Sequence, residues 1–390
     1  MLRRSGLMLL VIAATAALAA TAAAAPGHKA AGTFKIGWIS GLTGTQATNS
    51  ASATQGIAAA LSRINATNAA GVKLSMVVKD DAATPQVASQ RCNELVNSDH
   101  VQAVLGFEST PSQAACNQFL TSANIPYILS QTSTSGSICL ANYFALATVG
   151  NQQVNPLVDY LIKHGSKKIY VVASDFVSGR QGAQQVKDRA GSRADIVGTS
   201  FEPLGTTDFS SDISKIAAAK PDTVVDILVG NDEVAFYKQF RTDPRSSGIK
   251  TASFLMDDGI AGAIGQKLLK GTVVNTSYTP DNTIKGNKVF IAAMKKKFGS
   301  KAQISGAAAA AWDGAWILAR ALKKAHSSDG NKLIATLPTT TYSGPRGDLA
   351  FRGKHYVSLA AFLVSYNGKA GKVVGKFSRI FPVPAAAACQ

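Results

Sequence analysis

Hydroxyl-bearing and acidic residues of this 390-residue chain gather where apolar runs have just ended. One set reads Ser40-Gly41-Leu42-Thr43-Gly44, Asp80-Asp81, Gly106-Phe107-Glu108-Ser109-Thr110 and Ser130-Gln131-Thr132-Ser133-Thr134. A second reads Ser174-Asp175-Phe176, Gly230-Asn231 and Asp257-Asp258-Gly259. Small residues and hydroxyls dominate the first. Ser109, Thr110 and Ser112 also stand where a helix begins, so free backbone N–H groups and hydroxyls there can hold a carboxylate; simple N-capping explains the same residues. The second set supplies acids able to pair with an ammonium group. An anion-holding face set against an acid-bearing face suits a zwitterion. Asp80 and Asp81, adjacent at a strand end, point apart and read as loop-capping groups rather than a carboxylate pair or metal site.

Catalytic chemistry finds little support. There is no G-x-S-x-G elbow, no phosphate-binding G-x-x-x-x-G-K loop, and no G-x-G-x-x-G after a strand; Gly259, Gly262 and Gly265 have the wrong spacing. The five histidines are scattered singly, mostly after helices or in loops, and none sits at a strand end facing a nucleophile. No C-x-x-C or Cys/His cluster exists, so neither a metal nor a cofactor is expected. Basic residues outnumber acidic ones, 40 to 23, but lie dispersed and without interleaved aromatics, which argues against nucleic acid as a partner.

These residues need elements to position them. With 46% hydrophobic and 16% charged residues the chain is globular, long enough for two or three domains. Arg3 and Arg4, the apolar stretch Leu7 to Ala20 and the small residues Ala22–Ala25 form a secretory signal peptide over residues 1–25, with cleavage expected after Ala24. Its removal lowers the formal charge from +17 to +15 and leaves an exported, soluble chain. Beyond it, continuous apolar β-branched runs, the mark of buried parallel strands, alternate with helical patterns. The first strands are predicted at 34–40, 74–79, 103–106 and 127–130. The alternation restarts with 168–174, 196–201, 223–229, 253–256 and 272–277. Two helices then follow in succession, near 288–298 and 306–325, before strands at 348–351, 357–365 and 372–377. Two such blocks mean two doubly wound α/β domains. Of four cysteines, Cys92 and Cys116 fall on successive helices flanking one strand. In a right-handed arrangement such helices lie side by side, so a Cys92–Cys116 disulfide is expected, leaving Cys139 and Cys389.

In this order the segments IGWISGLTG (36–44), KDDAATP (79–85), GFESTPSQ (106–113), IPYILSQTST (125–134), residues 168–179, KPDTVVDILVGNDEVAFYKQF (220–240), AWDGAWILARALKKA (311–325) and SGPRGDLAFRG (343–353) resemble the leucine/isoleucine/valine-binding type of class I periplasmic substrate-binding proteins. The resemblance covers nearly the whole mature chain. It implies two Rossmann-like lobes joined by a three-segment hinge, closing on a ligand like a Venus flytrap. Lobe I would comprise residues 26–150 with 280–340, and lobe II 151–279 with 341–390. It also implies a membrane permease of an ABC importer as partner, no catalytic activity, and a monomer. The family's α-carboxylate contacts match Thr110, Thr132 and Thr134. Its ammonium-binding acid matches Asp258, with Asp257 one residue away. A tyrosine of the family matches Phe176 and an aromatic position matches Asn231. Both departures move the pocket away from branched-chain specificity and leave an amino acid, amide or related acid as ligand. Two other readings stand beside this one: a ligand-sensing module that signals to a receptor, and an exported α/β enzyme.

Overall fold

Parallel strands buried on both faces need helices above and below, and the computed structural model has that layering twice. It describes residues 32–106, 109–130, 140–148, 150–352, 355–357 and 359–377. The signal segment, Glu108, Gln131, Thr132, Thr134, Cys139 and Cys389 lie outside these residues.

Lobe I opens with β1 (Thr33–Ser40), α1 (Ala47–Ala66), β2 (Lys73–Asp80), α2 (Pro85–Asn97), β3 (Ala103–Gly106), α3 (Thr110–Ser122), β4 (Tyr127–Leu129) and β5 (Tyr143–Ala145). The chain then crosses to lobe II: α4 (Gly150–Lys163), β6 (Lys168–Ser174), α5 (Val177–Ala190), β7 (Asp195–Glu202), α6 (Ser210–Ala219), β8 (Thr223–Ile227), α7 (Asn231–Phe240), β9 (Lys250–Ser253), α8 (Asp258–Ile264) and β10 (Thr272–Thr276). It returns with α9 (Lys285–Phe298), α10 (Gly306–Ala325), α11 (Gly330–Thr336), β11 (Thr341–Gly344), β12 (Gly347–Arg352) and β13 (Tyr356–Val357). It ends in lobe II with β14 (Ala361–Tyr366) and β15 (Gly371–Phe377).

The first sheet has the order β11-β12-β13-β5-β4-β3-β1-β2 and the second β15-β14-β10-β9-β8-β6-β7. Strands β1–β5 and β6–β10 are parallel within each set, whereas β14 runs antiparallel to β10. In each lobe the strand order reverses about the first strand, between β1 and β3 and between β6 and β8.

Each sheet separates two apolar layers. In lobe I, Trp38, Ile57, Phe290 and Trp312 pack on one face, and Leu95, Cys92, Cys116 and Tyr127 on the other. In lobe II, Phe209, Phe236, Tyr237 and Ile260 cover one face, and Val154, Leu157, Val186 and Phe254 the other. Alanine-rich α10 lies so close to α1 that a Cβ on Gly56 would sit 2.1 Å from the Ala308 carbonyl oxygen. The small side chains let the helix backbones approach, and Ser305 caps α10 while donating from its hydroxyl to Ser52 Oγ at 2.9 Å.

The structure pairs Cys92 of α2 with Cys116 of α3, their Cα atoms 5.6 Å apart. It departs from the sequence reading in the tail. Residues 357–365, predicted as one strand, divide between β13 in the first sheet and β14 in the second. Strands β11, β12 and β13 therefore complete the first sheet and the last crossing falls between Val357 and Ala361, where the sequence placed everything after 340 in lobe II. An apolar run carries no mark of which sheet its halves join. Strand β9 ends at Ser253, three residues before the predicted end, because Ser253 Oγ accepts the N–H groups of Leu255 and Met256 and turns the chain.

Candidate functional site

Parallel strands in register deliver their carboxyl ends to one edge of each sheet. Ser40 pairs with Asp80, Ile39 with Gly106, Gly106 with Leu129 and Leu129 with Ala145. In lobe II, Ala173 pairs with Ile227 and Asp226 with Ser253. Crevices for ligands form beyond such edges where the strand order reverses. Ser109 and Thr110 follow β3, Phe176 follows β6 and Asn231 follows β8, so all four stand at reversal points. Asp258 follows β9, next in the sheet.

The two edges meet. Thr110 Oγ1 and Ser178 Oγ are 3.1 Å apart across the lobes. Thr48 donates to Asn231 Oδ1 at 3.0 Å, and Asn231 Nδ2 donates to the Gly44 carbonyl at 3.3 Å. The Ala307 N–H, in the first turn of α10, donates to Asp257 Oδ2 at 3.2 Å. Gly230, at φ +59 and ψ −126, lies against residues 44–46; a Cβ there would sit 2.1 Å from the Thr45 carbonyl oxygen. The lobes are in the closed arrangement.

The expected residues divide by what already holds them. Ser109 occupies the cap position of α3, yet its hydroxyl makes no capping bond; it is buried and has no hydrogen-bond partner among the described residues. The hydroxyl of Thr110 is shared with lobe II. Asn231 is exposed, and its amide makes the interlobe bonds to Thr48 and the Gly44 carbonyl. Phe176, partly buried, precedes α5 and presents an apolar ring. Asp80 and Asp81 hold the loops after β1 and β2: Asp80 accepts from Thr43 and the Ala82 N–H, and Asp81 from the Ala83 N–H. Thr132 and Thr134 lie outside the described residues.

The two acids after β9 have different roles. Asp257 Oδ1 caps α8 by accepting from the Gly259 and Ile260 N–H groups at 2.9 and 3.0 Å, while its other oxygen takes Ala307. Asp258, one position on, has no cationic partner among the described residues. Burial, then the neighbouring charges of Asp257 and Asp281, push its carboxyl up to about 8. A carboxyl in that condition gains most from an incoming cation. Sequence reasoning missed a buried acid pair beneath this edge, Asp226 and Glu233, which Tyr237 and Ser253 hydrogen-bond at 2.9 and 2.8 Å. Burial raises both acids, and the pattern of an acid inside an apolar strand, Val225-Asp226-Ile227, was the available signal.

Two lobes of this topology meeting at their strand ends define a bilobal binding protein. The profile of the periplasmic binding protein family matches residues 33–372, and the chain belongs to that family. It is 24% identical over 278 residues to Leu/Ile/Val-binding protein homolog 6 of Brucella melitensis, covering 69% of this chain and 70% of that one. Its fold matches the solute-binding protein of an R. palustris ABC transporter in complex with benzoate (TM-score 0.82, 21% identity, 92% of this chain and 100% of the other). It also matches the branched-chain amino acid transporter substrate-binding protein LivJ of Streptococcus pneumoniae in complex with isoleucine (TM-score 0.78, 21% identity, 88% and 99%). No helix among the described residues is long and apolar enough to cross a membrane.

Proposed function

We propose that the chain is an exported solute-binding protein that captures a small carboxylate-bearing solute, an α-amino acid or a related amide or acid, and delivers it to the permease of an ABC importer. Ser109, Thr110, Thr132 and Thr134 hold the carboxylate, Asp258 receives the ammonium group, and Phe176 walls the side chain. Residues 1–25 are removed on export, the mature chain works as a periplasmic or extracellular monomer, and the Cys92–Cys116 bridge forms there. The observation that carries this reading is the pairing of unmet needs on opposing lobes: among the described residues, the buried Ser109 hydroxyl at the start of α3 has no partner and the acid at Asp258 has no cation.

A thermal-shift screen of the mature protein against amino acids, amides, urea, polyols and aromatic acids tests it. A ligand at 100 times its Kd stabilises the fold by about 2.7 kcal/mol. Binding of an α-amino acid, lost in Asp258→Ala and weakened in Ser109→Ala, is the expected result; equal affinity in both variants refutes the clamp. Phe176 and the benzoate-bound R. palustris relative favour a second reading, an aromatic acid. A screen that responds only to benzoates selects it and removes the ammonium role of Asp258.

A further inference from the structure

At the root of the cleft, beside the crossings between the lobes, lies a cavity whose polar wall is separate from the residues assigned above. Ser130, at the end of β4, and Arg346, in the turn between β11 and β12, reach it from lobe I; Asn275 of β10 and the Met256-Asp257 segment reach it from lobe II, and Ala307 closes it. Arg346 is 3% exposed; its Nε donates to Asp313 Oδ2 of α10 at 2.7 Å, while Nη2 has no partner among the described residues. The Ser130 hydroxyl, equally buried, has none among them either. Asn275 spends its Nδ2 on the Gln152 and Gln153 carbonyls at 3.0 and 2.6 Å, which leaves its Oδ1 unsatisfied. The Asp257 carboxylate on this wall is already engaged by three backbone N–H groups.

A buried guanidinium N–H without an acceptor is costly, and planar carboxylate oxygens are the acceptors its geometry matches. The Ser130 hydroxyl offers a second donor to the same group, and Asn275 Oδ1 offers an acceptor to whatever N–H or O–H lies beyond it. We propose that this hinge cavity binds a carboxylate group, held by Arg346 and Ser130. Because Ser130 and Arg346 belong to lobe I and Asn275 to lobe II, an occupant of this cavity bonds to both lobes. The carboxylate comes either from a free small acid or from the transported solute itself. The assignment does not depend on the proposed function: a screen without a transported solute leaves the free-acid arm intact.

The experiment titrates acetate, leucine and benzoate into the full mature chain at constant ionic strength, with chloride as the control anion, and reads calorimetry and melting together. Wild type is compared with Ser130→Ala, with the double variant Arg346→Leu/Asp313→Leu, and with Thr110→Val. Replacing a buried ion pair by apolar residues preserves folding far better than removing one partner, and Ser130→Ala leaves the pair intact. Saturable acetate binding that weakens at least about tenfold in both cavity variants but persists in Thr110→Val supports a free-acid site. No acetate binding, with leucine or benzoate affinity falling at least about tenfold in the same two variants, places the solute's own carboxylate there. Wild type indifferent to all three probes, or cavity variants that bind as wild type does, overturns the assignment.

Discussion

Gly230→Ala should separate folding from closure. The added Cβ would lie 2.1 Å from the Thr45 carbonyl oxygen, more than 1 Å inside ordinary contact, and Thr45 belongs to the other lobe. With the lobes apart the methyl group meets no such obstacle. Backbone strain at φ +59, ψ −126, of order 1–3 kcal/mol, falls on open and closed forms alike and lowers stability without altering closure. The clash falls on the closed form alone. Overpacking there costs about 1–3 kcal/mol, and the adjacent Asn231 bonds to Thr48 and Gly44, worth about 1 kcal/mol each, are lost with it. A loss of about 3–5 kcal/mol weakens apparent affinity by at least roughly 150-fold, because ligand binds only the fraction able to close. Calorimetry with the solute found by screening measures the affinity; small-angle scattering measures whether saturating ligand still compacts the variant. Wild-type affinity in a folded Gly230→Ala protein would show that this interlobe contact plays no part in capture.

Asp258 carries a pH signature: its folded carboxyl, raised by burial and then by Asp257, stands at about 8 against roughly 4 unfolded. The group therefore costs nothing below about pH 4, and native stability falls as pH rises toward 8; ligand-free Asp258→Asn should match wild type near pH 4 and exceed it by about 1–3 kcal/mol at pH 8 in urea titrations, while wild-type affinity for an α-amino acid rises with pH over the same span. The Cys92–Cys116 bridge closes a loop of sequence separation 24, so the Cys92→Ala/Cys116→Ala variant should lose about 3 kcal/mol on urea unfolding relative to the oxidised protein. Gly56→Val drives its side chain into the α10 backbone and should lower the melting temperature of the protein more than Gly262→Ala in lobe II, where a Cβ meets nothing within 4 Å.

The lobes themselves could be read from residue patterns because buried parallel strands write themselves as unbroken apolar runs, and Ile36–Ile39, Val104–Leu105 and Val171–Ala173 are such runs. Strand β5 escaped because Tyr143–Ala145 is only three residues long, and the division of residues 357–365 because its two halves are equally apolar. At the cleft, residue type found Ser109 and the pair Asp257-Asp258. It could not tell that Asp257 spends both oxygens on backbone N–H groups while Asp258 is left bare, since that depends on where α8 starts and where α10 docks. Arg346 was quoted only as part of a motif: it shares a cavity wall with Ser130 and Asn275, 216 and 71 positions away in sequence, and single-sequence spacing holds no record of such a meeting.

The contact between Ser52 and Ser305, separated by 253 positions, has a bearing on how the molecule comes into being. Helix α1 has its lining only once α10 exists, and the first sheet is complete only at Val357. A ribosome has thus made almost the entire polypeptide before lobe I can bury Trp38 against Trp312. Contacts this distant in sequence impose a large loop-closure entropy and slow folding. For the same reason no single cut yields a lobe: excising lobe I as an autonomous piece requires joining residue 148 to residue 280 with a linker, and a fragment ending before α10 would expose the apolar face of α1 to solvent.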